Sequence, residues 1–408
     1  IDARGRSSAV PTSSRTHQTG RASQRTWHIG EHLLHERARL SKAQVWLAFA
    51  VERAPYRVVR RTRVFLCTIP SSYRVEQLRV DFGGDFPARL FMAICDEAAA
   101  TAETYVPQML KLQVENLLLL GDHKQLQPLV LAQNHREPEE KQVSRSLMER
   151  MLDAGYQAHM LKRQYRMFES LCTIVSGLFY EGRLTTAPEK LTKDAAEEAA
   201  RGGGLGIPLR AQRVIFAEAR ERLRWFDSSH AQHPETAVGT SYVNVVEAAA
   251  IRELLEEDPV LSTTSERVMV ITLYKPQLQL LQKTCFDIAQ RRPNVEFVTV
   301  DACQGSEAPH IVLSTVRSKR GKIGFAGNPR RLNVAISRAI KSLTVAGSAH
   351  ALSGDENWAE VHAGFKSLGK VSSIDFQRLK GSDAAGWTAA ESESVRMAER
   401  KGSGRKGF

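Results

Sequence analysis

This chain of 408 residues predicts an α/β protein built on parallel sheets, from three features of its pattern. Leu90 to Cys95 is an apolar run that ends in two adjacent carboxylates, Asp96 and Glu97. A second apolar run ends in Gly121-Asp122-His123-Lys124-Gln125-Leu126-Gln127-Pro128, with Gly121 lying 24 residues beyond Glu97. Further on, short apolar runs rich in Val and Ile alternate with helical periods, as in strands joined by crossover helices. Strands buried on both faces read as continuous apolar runs, which is what these are.

The elements follow in order. Residues 1–60 form a leading segment: a basic, disordered tail to about residue 26, with no acid between Asp2 and Glu31, and then a helix from 27 on Leu33, Leu34, Leu40, Val45, Trp46 and Ala50. The arginines of the tail have no accompanying apolar face, so disorder is expected there instead of an amphipathic transit helix. Residues 61–154 read as a first sheet domain. It is opened by a short strand at Val64–Thr68, continues through the strands ending at Asp96 and Gly121 with a helix at Tyr105–Leu112 between them, and closes with a helix at Ser144–Leu152 that Gly155 stops. Residues 155–350 read as a second α/β domain with strands at Val268–Thr272, Val295–Val300, Ile311–Val316 and Leu343–Ala346. Its polar, glycine-ending stretch Ala187–Gly206 reads as a surface insertion. Residues 351–408 hold one helix, Trp358–Leu368, and from Lys380 a basic disordered tail.

The formal charge of +12 suits a polyanionic partner such as nucleic acid. No run approaches the roughly 18 apolar residues of a membrane span. No membrane association is therefore expected, and an intracellular location, cytoplasmic or nuclear, is. The five cysteines Cys67, Cys95, Cys172, Cys285 and Cys303 are scattered and lack C-x-x-C spacing, so reduced thiols are expected and a zinc site is not. The first residue is Ile1, which predicts a fragment or a processed product.

A buried strand ending in Asp-Glu presents both acids at the C-terminal edge of its sheet, where open α/β sheets bind ligands. Asp96 then suits a Mg²⁺ held through water, and Glu97 suits the orientation of an attacking water. A second strand ending in Gly-Asp-x-x-Gln strengthens that reading.

Five further segments follow in order. They are Leu161-Lys162-Arg163-Gln164-Tyr165-Arg166-Met167; Ser241-Tyr242-Val243-Asn244 with Glu247-Ala248; Val270 to Gln277; Val298-Thr299-Val300-Asp301-Ala302-Cys303-Gln304-Gly305-Ser306-Glu307; and Arg331 to Ala339. With the two strand ends, this ordered series resembles the superfamily 1 helicases, in particular the group of the nonsense-mediated-decay RNA helicase, over roughly residues 62–350. The resemblance implies two RecA-like parallel-sheet domains of the P-loop NTPase fold, the first of them incomplete here. It implies ATP and Mg²⁺ as cofactors and single-stranded RNA or DNA as partner, RNA preferred, with 5′-to-3′ polarity; protein partners are unknown.

On the same resemblance Asp96, Glu97, Gln125, Arg166 and Arg338 carry catalysis, the two arginines as planar, multidentate phosphate ligands. Tyr165, Gly305 and Glu307 contact the nucleotide. Thr68, Thr272 and Tyr274 lie near the nucleic-acid strand, and Cys303 packs where the family often has an aromatic.

The sequence also departs from the family. Nothing in residues 1–90 fits G-x-x-x-x-G-K-[ST], the loop whose backbone N–H groups and Lys hold phosphates. Gly364-Phe365-Lys366-Ser367-Leu368-Gly369-Lys370 comes near, but Val371 stands where the hydroxyl belongs and a helix precedes it. The loop therefore lies upstream or has been lost. The expected function is an ATP-dependent helicase or translocase whose 408 residues hydrolyse ATP weakly or not at all without that loop. The alternative is a nucleic-acid-binding pseudo-helicase that does not hydrolyse.

Overall fold

A computed structural model of the chain describes residues 35–44, 62–82, 90–129, 144–190, 222–231, 235–321 and 323–374. The expected tails, and the expected insertion beyond residue 190, lie outside these residues. So does the expected helix at 27–60, except that residues 35–44 are helical (α1). Chain contacts group residues 1–93 and 105–117 into one compact unit and residues 94–104 and 118–408 into a second. No helix among the described residues is long and apolar enough to cross a membrane.

In the first unit, α2 (Tyr73–Phe82) contributes Val75 to a small core with Leu112, against which Phe65, Leu78, Leu90 and Val114 pack. The expected strand at Val64–Thr68 does not form. Val64 is 73% exposed and Leu66 94%, and Pro70 opens a 3₁₀ turn at Ile69–Ser71. A strand needs a neighbour for its N–H and C=O groups, and no described strand pairs with this segment.

β1 (Met92–Cys95) and β2 (Asn116–Leu119), with α3 (Val106–Lys111) between them, pair as the expected strand ends do. Asn116 N–H donates to Phe91 O, and Leu120 N–H donates to Cys95 O. The bonds climb in one direction along both strands, so the pair is parallel. Phe91, Met92 and Ile94 remain exposed, and the first sheet has only two strands among the described residues.

α4 (Leu147–Asp153), where the sequence placed the closing helix of its first domain, belongs to the second unit; Ser146 Oγ caps it by accepting from Glu149 N–H, and Gly155 ends it at φ +88°. β3 (Arg163–Gln164) pairs in parallel with β4 (Thr185–Thr186) around α5 (Glu169–Tyr180). Then come β5 (Leu223–Asp227), the antiparallel hairpin β6 (Thr236–Val238) and β7 (Ser241–Val243), α6 (Val245–Glu257), β8 (Val268–Thr272), α7 (Lys275–Thr284), α8 (Phe286–Arg291), β9 (Val295–Thr299) and β10 (Ala308–Ser314). α9 (Pro329–Ile336), β11 (Ala339–Gly347), α10 (Ala349–Leu352), α11 (Glu356–Leu368) and β12 (Lys370–Ser373) complete it.

Six of these strands form one sheet in the order β12-β5-β11-β10-β8-β9, parallel throughout. Its side chains alternate between two cores. Met269 and Ile271 of β8 join Ile311 and Leu313 of β10 and Leu343 and Val345 of β11 on one face, with α5, α9 and α11. Val268, Val270 and Val312 face the other way, toward α6 and α7. The expected α/β fold with a parallel sheet covered on both faces is thus the one observed.

One buried polar latch shapes this unit. Glu247, fully buried on the first turn of α6, accepts from Ser314 Oγ at 2.7 Å and from Val316 N–H at 2.8 Å, and Val316 O accepts from Asn244 Nδ2 at 3.0 Å. Val316 sits at φ +70°, a conformation a β-branched residue adopts only when its surroundings impose it. Burial pushes the Glu247 carboxyl up to about 8, against the hydrogen bonds that pull it down.

Candidate functional site

The site starts where β1 and β2 end. Ala98 N–H donates to Leu120 O at 2.7 Å, and a Cβ on Gly121 would meet Ala99 N at 2.9 Å, so only glycine allows this approach. Between these contacts the chain turns through Glu97 at φ +50°, leaving Asp96 and Glu97 exposed. Asp96 Oδ1 accepts from Glu97 N–H at 3.0 Å. A single exposed carboxylate is the donor type taken by a Mg²⁺ that keeps most of its waters.

Gln125 and Arg338 meet directly. Arg338 Nη2 donates to Gln125 Oε1 at 2.8 Å, Nε donates to Val334 O at 3.0 Å, and Nη1 donates to Ser306 O at 3.3 Å. The guanidinium is 1% exposed, and among the described residues no carboxylate forms an ion pair with it. Burial holds its pKa below the ordinary value, Arg166 adds to that, and the Glu97 carboxylate opposes it. A buried cation held only by neutral oxygens is suited to an anionic ligand.

Arg166 follows β3 and is half-buried. Its Nε pairs with Glu307 Oε2 at 2.5 Å, and Nη1 donates to Ser337 O at 3.4 Å. Gln164, one residue before Tyr165, accepts from the N–H groups of Arg166 and Met167 and so folds the turn that presents Arg166. Gly305 stands at φ +74°, and a Cβ there would lie 4.0 Å from Glu97 Oε1. Glu97, Gln125, Arg166, Gly305, Glu307 and Arg338 are therefore drawn together within the second unit, and Tyr165 stands nearby in the chain at 57% exposure.

The three residues expected near nucleic acid fall in different units. Thr68 belongs to the first unit, exposed, with its hydroxyl on Ser71 Oγ at 3.0 Å. Thr272 is fully buried at the end of β8. Tyr274 is 6% exposed, donates to Ile323 O at 3.2 Å, and packs its ring on Tyr242 and Phe325. Cys303 is buried, and burial lifts its thiol to about 11, consistent with the expected packing role.

Sequence reasoning missed the residues behind this cluster. Asp122 Oδ2 accepts from Gln125 Nε2 at 2.7 Å and from the Tyr180 hydroxyl, while Asn333 Nδ2 donates to the Tyr180 oxygen at 2.8 Å and to Lys124 O at 3.0 Å. Asn333 lies inside a recognised block, but nothing around Tyr180 marks it as a partner of Asp122. A cavity of about 240 Å³ adjoins the same loop, lined by Gln127, Pro128, Asp301, Gln304, Arg330 and Arg331 among others. Its two arginines are paired, Arg330 with Glu149 and Arg331 with Asp301.

Residues 143–350, just over half of the chain, match the family model for an AAA domain. A second AAA domain model matches residues 12–133. The chain belongs to the superfamily 1 helicases. It is 32% identical over 281 residues to the regulator of nonsense transcripts 1 homolog of Neurospora crassa, a match covering 67% of this chain and 24% of that protein. The ATP-dependent helicase NAM7 of Saccharomyces cerevisiae is 29% identical over 263 residues, 62% of this chain and 25% of its own length. The 5'-3' DNA helicase ZGRF1 of Mus musculus is 30% identical over 254 residues, 62% of this chain and 12% of its own length. This helicase-family chain thus spans about a quarter or less of the length of these relatives.

Proposed function

We propose that this chain carries the motor of an ATP-dependent helicase or translocase acting on single-stranded nucleic acid, RNA preferred, with residues 61–154 and 155–350 as its two RecA-like lobes. The observation that supports this best is the contact of buried, carboxylate-free Arg338 with Gln125, beside Arg166 and Glu97. In this reading Arg338 and Arg166 bind the terminal phosphate, Gln125 reports its presence, Glu97 orients the attacking water, and Glu307 and Tyr165 face the nucleoside. Arg166 must exchange Glu307 for phosphate when nucleotide enters. Asp96 would hold Mg²⁺, which when bound neutralises charge on the phosphate oxygens.

The alternative is a nucleic-acid-binding protein without turnover, for which the net charge of +12 speaks. ATP hydrolysis by the full-length gene product, with and without single-stranded RNA, separates the two. The expected result is RNA-stimulated hydrolysis that Glu97→Gln lowers by about a hundredfold or more, the scale on which a water-orienting base acts. Tight RNA binding with no hydrolysis supports the alternative, and hydrolysis indifferent to RNA and to Glu97→Gln refutes the motor.

A further inference from the structure

We propose that Tyr180 is a positioning residue for Gln125, an inference that rests on the reading of Gln125 as part of the nucleotide site. Gln125 spans two opposite charges. Its Nε2 donates to Asp122 Oδ2 at 2.7 Å, and its Oε1 accepts from Arg338 Nη2 at 2.8 Å. Turning the amide over would set oxygen against carboxylate and NH₂ against guanidinium, so one orientation is enforced as long as Asp122 holds its place.

Tyr180 holds it. Its hydroxyl, on the last residue of α5, donates to the same Asp122 Oδ2 that anchors Gln125. Asn333 in turn orients the phenol by donating to its oxygen at 2.8 Å, and donates to Lys124 O at 3.0 Å. Those two bonds fix which end of the buried Asn333 amide faces the loop, because the flipped amide would point oxygen at the Lys124 carbonyl. Asn333 lies on α9 and Arg338 two residues past its end, so this segment holds the 122–125 loop at two points, with Tyr180 joining them.

The chemistry suits a fixed strut. Burial, together with the Asp122 charge, keeps the phenol protonated throughout the working pH range, so it stays a donor. Asp122 Oδ1 separately accepts from Lys124 N–H at 3.0 Å, so losing the phenol frees one oxygen of the carboxylate without unfolding the loop. The consequence falls on Gln125, whose amide then has a mobile anchor on one side and Arg338 on the other. Small misplacements of a group that acts in the transition state lower kcat more than they weaken binding.

Tyr180→Phe keeps the ring and removes the hydroxyl. In the full-length gene product, labelled with ¹⁵N-glutamine, the Gln125 side-chain amide is assigned by its disappearance in Gln125→Ala. The expected result in Tyr180→Phe is a displaced, faster-exchanging Gln125 amide, with the amide of Gln277, buried in a separate network with Asn244 and Ser314, unmoved. ATP turnover is expected to fall about tenfold in kcat with KM for ATP within about twofold, and Tyr180→Phe combined with Gln125→Ala to lose no more than Gln125→Ala alone. An unmoved Gln125 amide overturns the inference, as does an unchanged kcat in an active parent. A parent without hydrolysis overturns the proposed function instead, and the amide signal still decides the role of Tyr180.

Discussion

Glu247→Gln removes a proton-binding group from the interior while keeping its shape and its acceptor oxygen. The folded carboxyl titrates near 8, against an ordinary value of 4.5. The folded state therefore binds the proton more tightly than the unfolded chain. Its contribution is complete below about pH 4.5 and is lost as pH rises through about 8. Linkage sets the slope at about 1.4 kcal/mol per pH unit inside that window, falling off as pH nears 8, so the parent should lose roughly 2 kcal/mol between pH 6 and pH 8 through this group alone.

The Gln variant has nothing there to ionise. Measured by urea unfolding with tryptophan fluorescence at pH 6, 7 and 8, the stability difference between variant and parent should move toward the variant by that amount. His123, His310 and His362 have values lowered by burial and so add stability as pH rises, but they are common to both proteins and cancel in the difference. Parallel pH profiles for the two proteins would refute the reasoning, since they would mean that Glu247 is ionised in the fold or titrates as it does in the open chain.

Arg338→Lys keeps the charge but cannot reach Val334 O, Ser306 O and Gln125 Oε1 together, so steady-state kinetics should show kcat for ATP hydrolysis down by about tenfold or more. Trp358→Ala empties a fully buried site packed on Trp225 and removes the indole N–H bond to Ala326 O at 2.8 Å. Urea unfolding should show a loss of about 3–5 kcal/mol, and a loss under about 1 kcal/mol would contradict the packing described.

The apolar runs were legible because a parallel sheet covered on both faces needs continuous hydrophobic strands. β8 spans the expected residues, and β9, β10 and β11 each lie within a few residues of expectation. β5 and β12, the two strands at one side of the sheet, were missed. β5 carries Arg224 and Asp227 among its apolar residues, and β12 is Lys-Val-Ser-Ser, so neither shows an apolar run. Val64–Thr68 shows the opposite failure: a good local strand pattern with no partner among the described strands.

The same division runs through the candidate site. Sequence alone determined the α/β class and the strand ends, because these depend on local pattern, and its resemblance to the superfamily 1 helicases supplied the list of charged and amide groups from which a site could be assembled. Only the tertiary structure decided that Arg338 is buried against Gln125, that Arg166 is held by Glu307, that Thr272 and Tyr274 lie in the interior, and that Tyr180 braces Asp122 from 58 residues away. Hydrogen bonds and burial are set by what the fold brings within about 3 Å, and that distance has no counterpart in the order of residues along a chain.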